Sequence, residues 1–520
     1  MSSPSRGIRL ASVGLVLAAA AFGLTACGKS TSSAAPSSIT IAINNAPTNL
    51  DPAENGNTPA NTMIMDLAYE PLIFQEGNGT FIPGLATSWH YTGSDEKTFV
   101  LKLRKGVHFS DGSALTAKQV VASINHEKKA NGPVAVYANQ IASAVAVNSD
   151  TVQLNLANSD PVIATILTQH FLIGSVVGPK GTSNPDSLGT STDGAGQYML
   201  DASETVANDH YTFVPNPHYY NPSAVHFKKF TVRIISNPQT ALSAIKSGQV
   251  AFTIGDFSTA AEASSPSITV HSTQSTWYAA FLFDRDGTIV PALKSQKVRQ
   301  ALNYAIDRKA IINAVFGKYG TPTDELSIKG YEKVGFDPSY VNHYAYNPTK
   351  AKQLLAAAGY PNGFTITVGS SPEYGDGDQV AQAIAGYWKA IGVTVKIQNY
   401  SDINSLVTPW LGKQLPAVTG DYDAQPMYLF INQALAKNAG TFNPFQTEDP
   451  QLTALMNKAL AETNEAQQEK DWQAIQRRVV DLGWFVPVGV GDALYYGSSK
   501  LQGVTVSPTA FDPDPTQFHY

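Results

Sequence analysis

The chain has 520 residues, 43% hydrophobic and 10% aromatic, which is enough apolar material for sizeable cores and excludes global disorder. Charged residues make up only 15% and the formal net charge is −6, which excludes a broadly basic nucleic-acid binder. A single cysteine excludes an intramolecular disulfide and a cysteine-rich zinc site.

Arg6 and Arg9 precede an uncharged run from Leu10 to Leu24. A short apolar segment behind a positive start reads as a secretory signal rather than a membrane span. The run ends in Leu24-Thr25-Ala26-Cys27, which resembles the bacterial lipobox, where cleavage exposes a cysteine for attachment of diacylglycerol. The bland alternative is an ordinary signal peptide. Residues 1–26 are therefore expected to be a lipoprotein signal and 27–38, small and polar, a flexible tether behind lipidated Cys27. No later stretch is long and apolar enough to span a membrane.

Ile39 to Ile43 alternates as a strand, and Asn44-Asn45-Ala46-Pro47 breaks it. Phe99, Leu101 and Leu103 mark another strand. Thr116-Ala117-Lys118-Gln119 has capping-box spacing and opens a helix. Ser295 and Asp307 are placed to cap two helices, the second ended by Gly317, and Asn347-Pro348 starts a third that stops at Gly359. Phe364–Val368, a helix over 378–391 and the alternating Val393, Val395 and Ile397 predict a parallel strand–helix–strand crossover. Asp449-Pro450 starts another helix, and residues 465–482 form one more.

Six blocks then occur in one order. They are Tyr69-Glu70-Pro71-Leu72 with Pro83-Gly84-Leu85-Ala86-Thr87-Ser88-Trp89; Thr98 to Gly112; Gly194-Ala195-Gly196-Gln197-Tyr198; Asn216-Pro217-His218-Tyr219-Tyr220; Val298 to Arg308; and Asn347 to Leu355. Together they resemble the extracytoplasmic solute-binding proteins of peptide and nickel ABC transporters, the oligopeptide/dipeptide-binding group of solute-binding family 5. The resemblance implies an α/β, two-lobed periplasmic-binding-protein-like clamp (type II) with an extra subdomain. Lobe I is expected over 39–66, 190–284 and 489–520, the subdomain over 67–189 and lobe II over 285–488. Crossing strands near 278–284 and 483–489 are expected to form the hinge.

The resemblance also implies a ligand site. In peptide-binding members a Gly-Trp-x-x-Asp-Tyr loop lies along the ligand, and its aspartate pairs with the peptide ammonium. Ala417-Val418-Thr419-Gly420-Asp421-Tyr422-Asp423 is the matching segment, without the tryptophan. Asp421 is expected to receive the ammonium, with Asp423 equally available, and the backbones of Ala417 and Thr419 to pair with the peptide as a strand does. Trp277 and Tyr278 are expected to face the cleft, Trp410 to wall a pocket, and Asn44 and Asn45 to donate to ligand. Arg285, Lys329 and Lys333 are undistinguished candidates for the ligand carboxylate.

The function implied is a monomeric, lipid-anchored, extracytoplasmic binder that captures short peptides and delivers them to ABC permease and ATPase subunits, with no cofactor and no nucleic acid. The same scaffold binding a nickel chelate, haem or a glycoside is the alternative. Ten histidines form no HxH or HExxH pair, giving a preformed metal site little support. A secreted hydrolase is the distant alternative, with no GxSxG elbow to support it.

Overall fold

The computed structural model describes residues 37–520 apart from 131, 330–334, 373, 424, 463, 510 and 511. Cys27, the signal segment and nearly all of the tether lie outside the described residues. No described helix is long and apolar enough to cross a membrane.

The chain enters on β1 (Ser38–Ile43). A hairpin of β2 (Ile73–Gln75) and β3 (Phe81–Pro83) precedes β4 (Ala86–Tyr91), β5 (Thr98–Leu103), β6 (Ile141–Asn148) and β7 (Thr151–Leu156). These last four form an antiparallel sheet ordered β4-β5-β7-β6. In β5, Phe99, Leu101 and Leu103 are buried while Lys102 is exposed, as the alternation predicts.

β8 (Tyr198–Leu200), β9 (His210–Pro215), β10 (Lys229–Ile234) and β11 (Phe252–Ile254) lead to the long β12 (Ile268–Leu282). Then come β13 (Gly320–Thr321), β14 (Thr365–Ser370), β15 (Thr394–Asn399), β16 (Ala417–Asp423) and the long β17 (Phe485–Ser498). Among the described residues these strands share one eleven-stranded sheet, ordered β15-β14-β16-β12-β17-β11-β1-β10-β9-β8, with β13 beside β17.

β12 and β17 run antiparallel from Ile268↔Ser498 to Phe281↔Phe485, with register shifts at Gln274/Thr276 and Tyr278/Ala279. Their outer partners change along their length. β16 pairs with β12 only over 276–282, whereas β11 pairs with β17 at Tyr495–Gly497. One pair of strands thus belongs to two α/β halves.

Local caps explain the helix starts. Asp307 accepts from the Ala310 amide at 3.0 Å, Asn347 from Lys350 at 2.9 Å and Asp449 from Leu452 at 2.8 Å. Ser295 occupies an N-cap position, but its side chain makes no capping bond, in contrast to expectation. The crossover is present: β14 and β15 are parallel and joined through the helix Gly377–Ala390. Gly392, at φ +92°, turns the chain after that helix, a conformation that glycine tolerates best.

Candidate ligand-binding site

β16 lies inside the sheet between β12 and β14. Ala417 is flanked by Leu282 on one side and Val368 on the other. It therefore has no open edge, which corrects the expectation that its backbone pairs with a ligand strand. Thr419 pairs with Ala280, and its fully buried hydroxyl donates to Gly377 O at 2.7 Å.

Further along, the edge is covered by the segment that follows β14. The Tyr374 hydroxyl donates to Asp421 O at 2.6 Å. A Cβ on Gly420 would lie 2.0 Å from the Tyr374 ring, and one on Gly375 would lie 2.4 Å from the Asp421 carboxyl carbon. Both glycines are needed for this close approach.

Asp421 stands opposite Tyr278, and Asp423 opposite Thr276, whose hydroxyl donates to the Asp423 carboxylate at 2.8 Å. Burial first, and then the charges of Asp423 and Asp376, hold the Asp421 carboxyl well above the usual carboxylate range. Asp423 is raised too, by burial. Asp376 is pushed up to about 6 by burial and then by Asp256 and Asp378. Among the described residues none of these three acids has a cationic side chain in an ion pair. The cluster is an acceptor for positive charge.

Beneath it is an aromatic bed. Trp277 is 1% exposed, with ring centroids 5.4 Å from Tyr422, 5.5 Å from Phe281 and 5.7 Å from Phe485. Trp410 stacks on Phe283 at 5.2 Å and donates its indole N–H to Thr441 O at 2.7 Å. Both indoles are packed within this core. Tyr278 is buried on the other face of β12, 4.4 Å from the Phe316 ring.

The remaining expected residues lie elsewhere. Asn44 and Asn45 follow β1 and are exposed, with β12, β17 and β11 between β1 and β16 in the sheet order. Arg285 is 2% exposed, bonded to Leu282 O, Asn443 Oδ1 and Phe442 O, and lies 4.2 Å over the Trp484 ring. Its guanidinium is thus engaged by the core. Lys329 is exposed, and Lys333 lies outside the described residues.

Sequence reasoning missed Tyr374 and Asp376, and also Tyr137, whose hydroxyl accepts from Gln425 Nε2 at 3.3 Å. That bond ties the helix Ala135–Ala138 to the chain just after β16. No local pattern marks any of the three.

A profile of the bacterial extracellular solute-binding proteins, family 5 (middle), matches residues 80–478. The chain belongs to this family. It is 25% identical over 502 residues to the glutathione-binding protein GsiB of Escherichia coli O6:K15:H31, covering 91% of this chain and 93% of that one. Two solved structures share the fold at TM-score 0.78. One is a dipeptide-binding protein from Pseudoalteromonas sp. SM9913 in complex with Met-Leu, 21% identical, covering 92% of this chain and 99% of that one. The other is AgaA from A. tumefaciens R10 in complex with agropinic acid, 22% identical, covering 92% and 98%. The fold is thus the two-lobed α/β clamp expected, and the chain is an extracytoplasmic solute-binding protein.

Proposed function

We propose that this solute-binding protein captures short peptides between its two halves and delivers them to the permease and ATPase subunits of an ABC importer. The observation that carries this reading is the Asp421 carboxylate on β16, raised by burial and by Asp423 and Asp376, with no cation paired to it among the described residues. A desolvated carboxylate in anionic company is relieved by a ligand ammonium. The named peptide and glutathione binders among its relatives support the ligand class.

The lobe partition expected from the sequence is part of the proposal. The change of strand partners along β12 and β17 supports it, with the register shifts at Gln274/Thr276 and Tyr278/Ala279 next to the expected hinge. Attachment through lipid on Cys27, a monomeric state and absence of catalysis complete the reading. Native mass spectrometry of freshly purified protein tests it. A retained peptide supports it, and a retained chelate, haem or glycoside replaces it with the non-peptide alternative. Incubation with the same peptides must return them uncleaved.

A further inference from the structure

A cavity of about 460 Å³, with no β16 residue in its wall, opens among residues far apart in the chain, including Glu70, Gln75, Gln197, Tyr220, Asp512 and Asp514. That volume suits a small molecule. Glu70 is 3% exposed and accepts the hydroxyls of Tyr219 at 3.1 Å and Tyr220 at 2.5 Å. Asp512 is 4% exposed and accepts the Thr62 hydroxyl at 3.0 Å. Asp514 accepts the Thr516 amide at 2.8 Å. Asp66, buried on the helix Pro59–Ala68, feels Asp514, Asp512 and Glu70, and its Oδ1 has no hydrogen-bond partner.

An independent observation points to a ligand. Gln197 lines the cavity and is 4% exposed, yet its Oε1 has no hydrogen-bond partner. A buried amide oxygen left unsatisfied costs free energy that a donor in the cavity would recover. The base that acts on Glu70 is Arg104, which is engaged elsewhere. Its guanidinium lies 4.8 Å over the Tyr220 ring and its Nε donates to Gly84 O at 3.2 Å.

We infer that this cavity is a second binding site, distinct from the β16 strand, for a small primary ammonium. Three N–H donors and a positive charge answer a wall of acceptors: the amide oxygen of Gln197 and the carboxylates of Glu70, Asp512 and Asp514. Among the described residues no three histidine, cysteine or carboxylate ligands converge as a metal ion requires, so an organic cation fits better than a bare one. Burial and then the charge of Asp514 push Glu70 up to about 7, and burial and then the charge of Asp423 push Asp512 up to about 8, so a bound cation would favour the ionised form of both.

The test uses the whole protein and n-butylammonium, with 1-butanol as the uncharged control, read by calorimetry and by amide hydrogen exchange. Butylammonium should bind saturably, butanol should not, and protection should centre on residues 70–77 and around Gln197. Gln197→Met and Asp512→Asn should each weaken butylammonium by roughly tenfold or more, and Gln197→Met should leave peptide affinity unchanged. Absence of saturable binding, protection centred on β16, displacement by saturating peptide, or unaltered affinity in a folded variant would each overturn the proposal. The exchange experiment on unmodified protein decides the location even where a variant does not fold.

Discussion

Tyr374 covers Asp421: its hydroxyl holds the Asp421 carbonyl at 2.6 Å, and its ring occupies the space where any side chain on Gly420 would go. Gly420→Ala therefore forces the ring away, and overpacking of this kind costs about 1–3 kcal/mol. In a Tyr374→Ala background the same substitution should cost almost nothing. Chemical denaturation of the four proteins in this cycle checks it, and an equal cost in both backgrounds contradicts the packing described.

Asp421→Asn keeps the shape and removes the charge. Losing one member of a buried ion pair typically costs about 3–5 kcal/mol, so free-amine peptides should weaken at least about a hundredfold. N-acetylated peptides should bind both proteins about equally poorly. Calorimetry of one peptide with and without its acetyl group separates the outcomes. If unmodified protein discriminates the two forms and Asp421→Asn discriminates them as well, the ammonium is held by another group, with Asp423 the next to test.

Burial and the charges of Asp423 and Asp376 raise the Asp421 carboxyl, so it is protonated over much of the neutral range, while an ammonium partner requires it ionised. Peptide binding near pH 7 should release a proton, and apparent affinity should climb from about pH 6 toward pH 8, where the peptide amine itself, near 8, begins to deprotonate. Calorimetry in phosphate and in Tris reads this directly. Identical heats in the two buffers would count against it.

Fold stability should decline from about pH 6.5 to pH 8. Burial pushes Glu70 and Asp160 up to about 7 and Asp512 and Glu325 up to about 8. These acids keep protons in the folded state that the unfolded chain releases above about pH 4, so their contribution is lost as pH rises through the folded values. Each is worth up to about 1.4 kcal/mol per pH unit. His170, lowered by burial to about 4, acts in the opposite sense, but only below its unfolded pKa near 6.5. The thermal midpoint at the two pH values checks the sign.

Cys27→Ser should leave the body folded and release it from the membrane into the medium or periplasm. Fractionation after a salt wash measures this, and a variant retained on membranes at the unmodified level would refute lipid anchoring.

The helices that could be read from the sequence are those whose start is encoded within four residues. Asp307, Asn347-Pro348 and Asp449-Pro450 each carry both the cap and the first turn. The family blocks carried the fold class. The site was harder, because its geometry is made by pairings across long separations. Tyr374 reaches Asp421 from 47 positions away, and Asp512 meets Thr62 across 450. Ala417 looked available for a ligand because the sequence does not say that β14 will lie alongside it. Trp277 reads the same in sequence whether an indole lines a cleft or packs among Phe281, Tyr422 and Phe485.

β12 and β17 have a mechanical consequence. At about 3.3 Å per residue their 15 and 14 residues make a ladder roughly 45–50 Å long, anchored in a different half of the molecule at each end. As the proposed hinge, this ladder would absorb rotation of one half against the other as torsion, without breaking its rungs. The two register shifts are where it yields most readily, since they interrupt regular pairing. The setting of one half against the other is then shared between these two strands and the contacts that cross from the subdomain, such as the Gln425–Tyr137 bond and the packing of Tyr428 and Leu429 in the subdomain core.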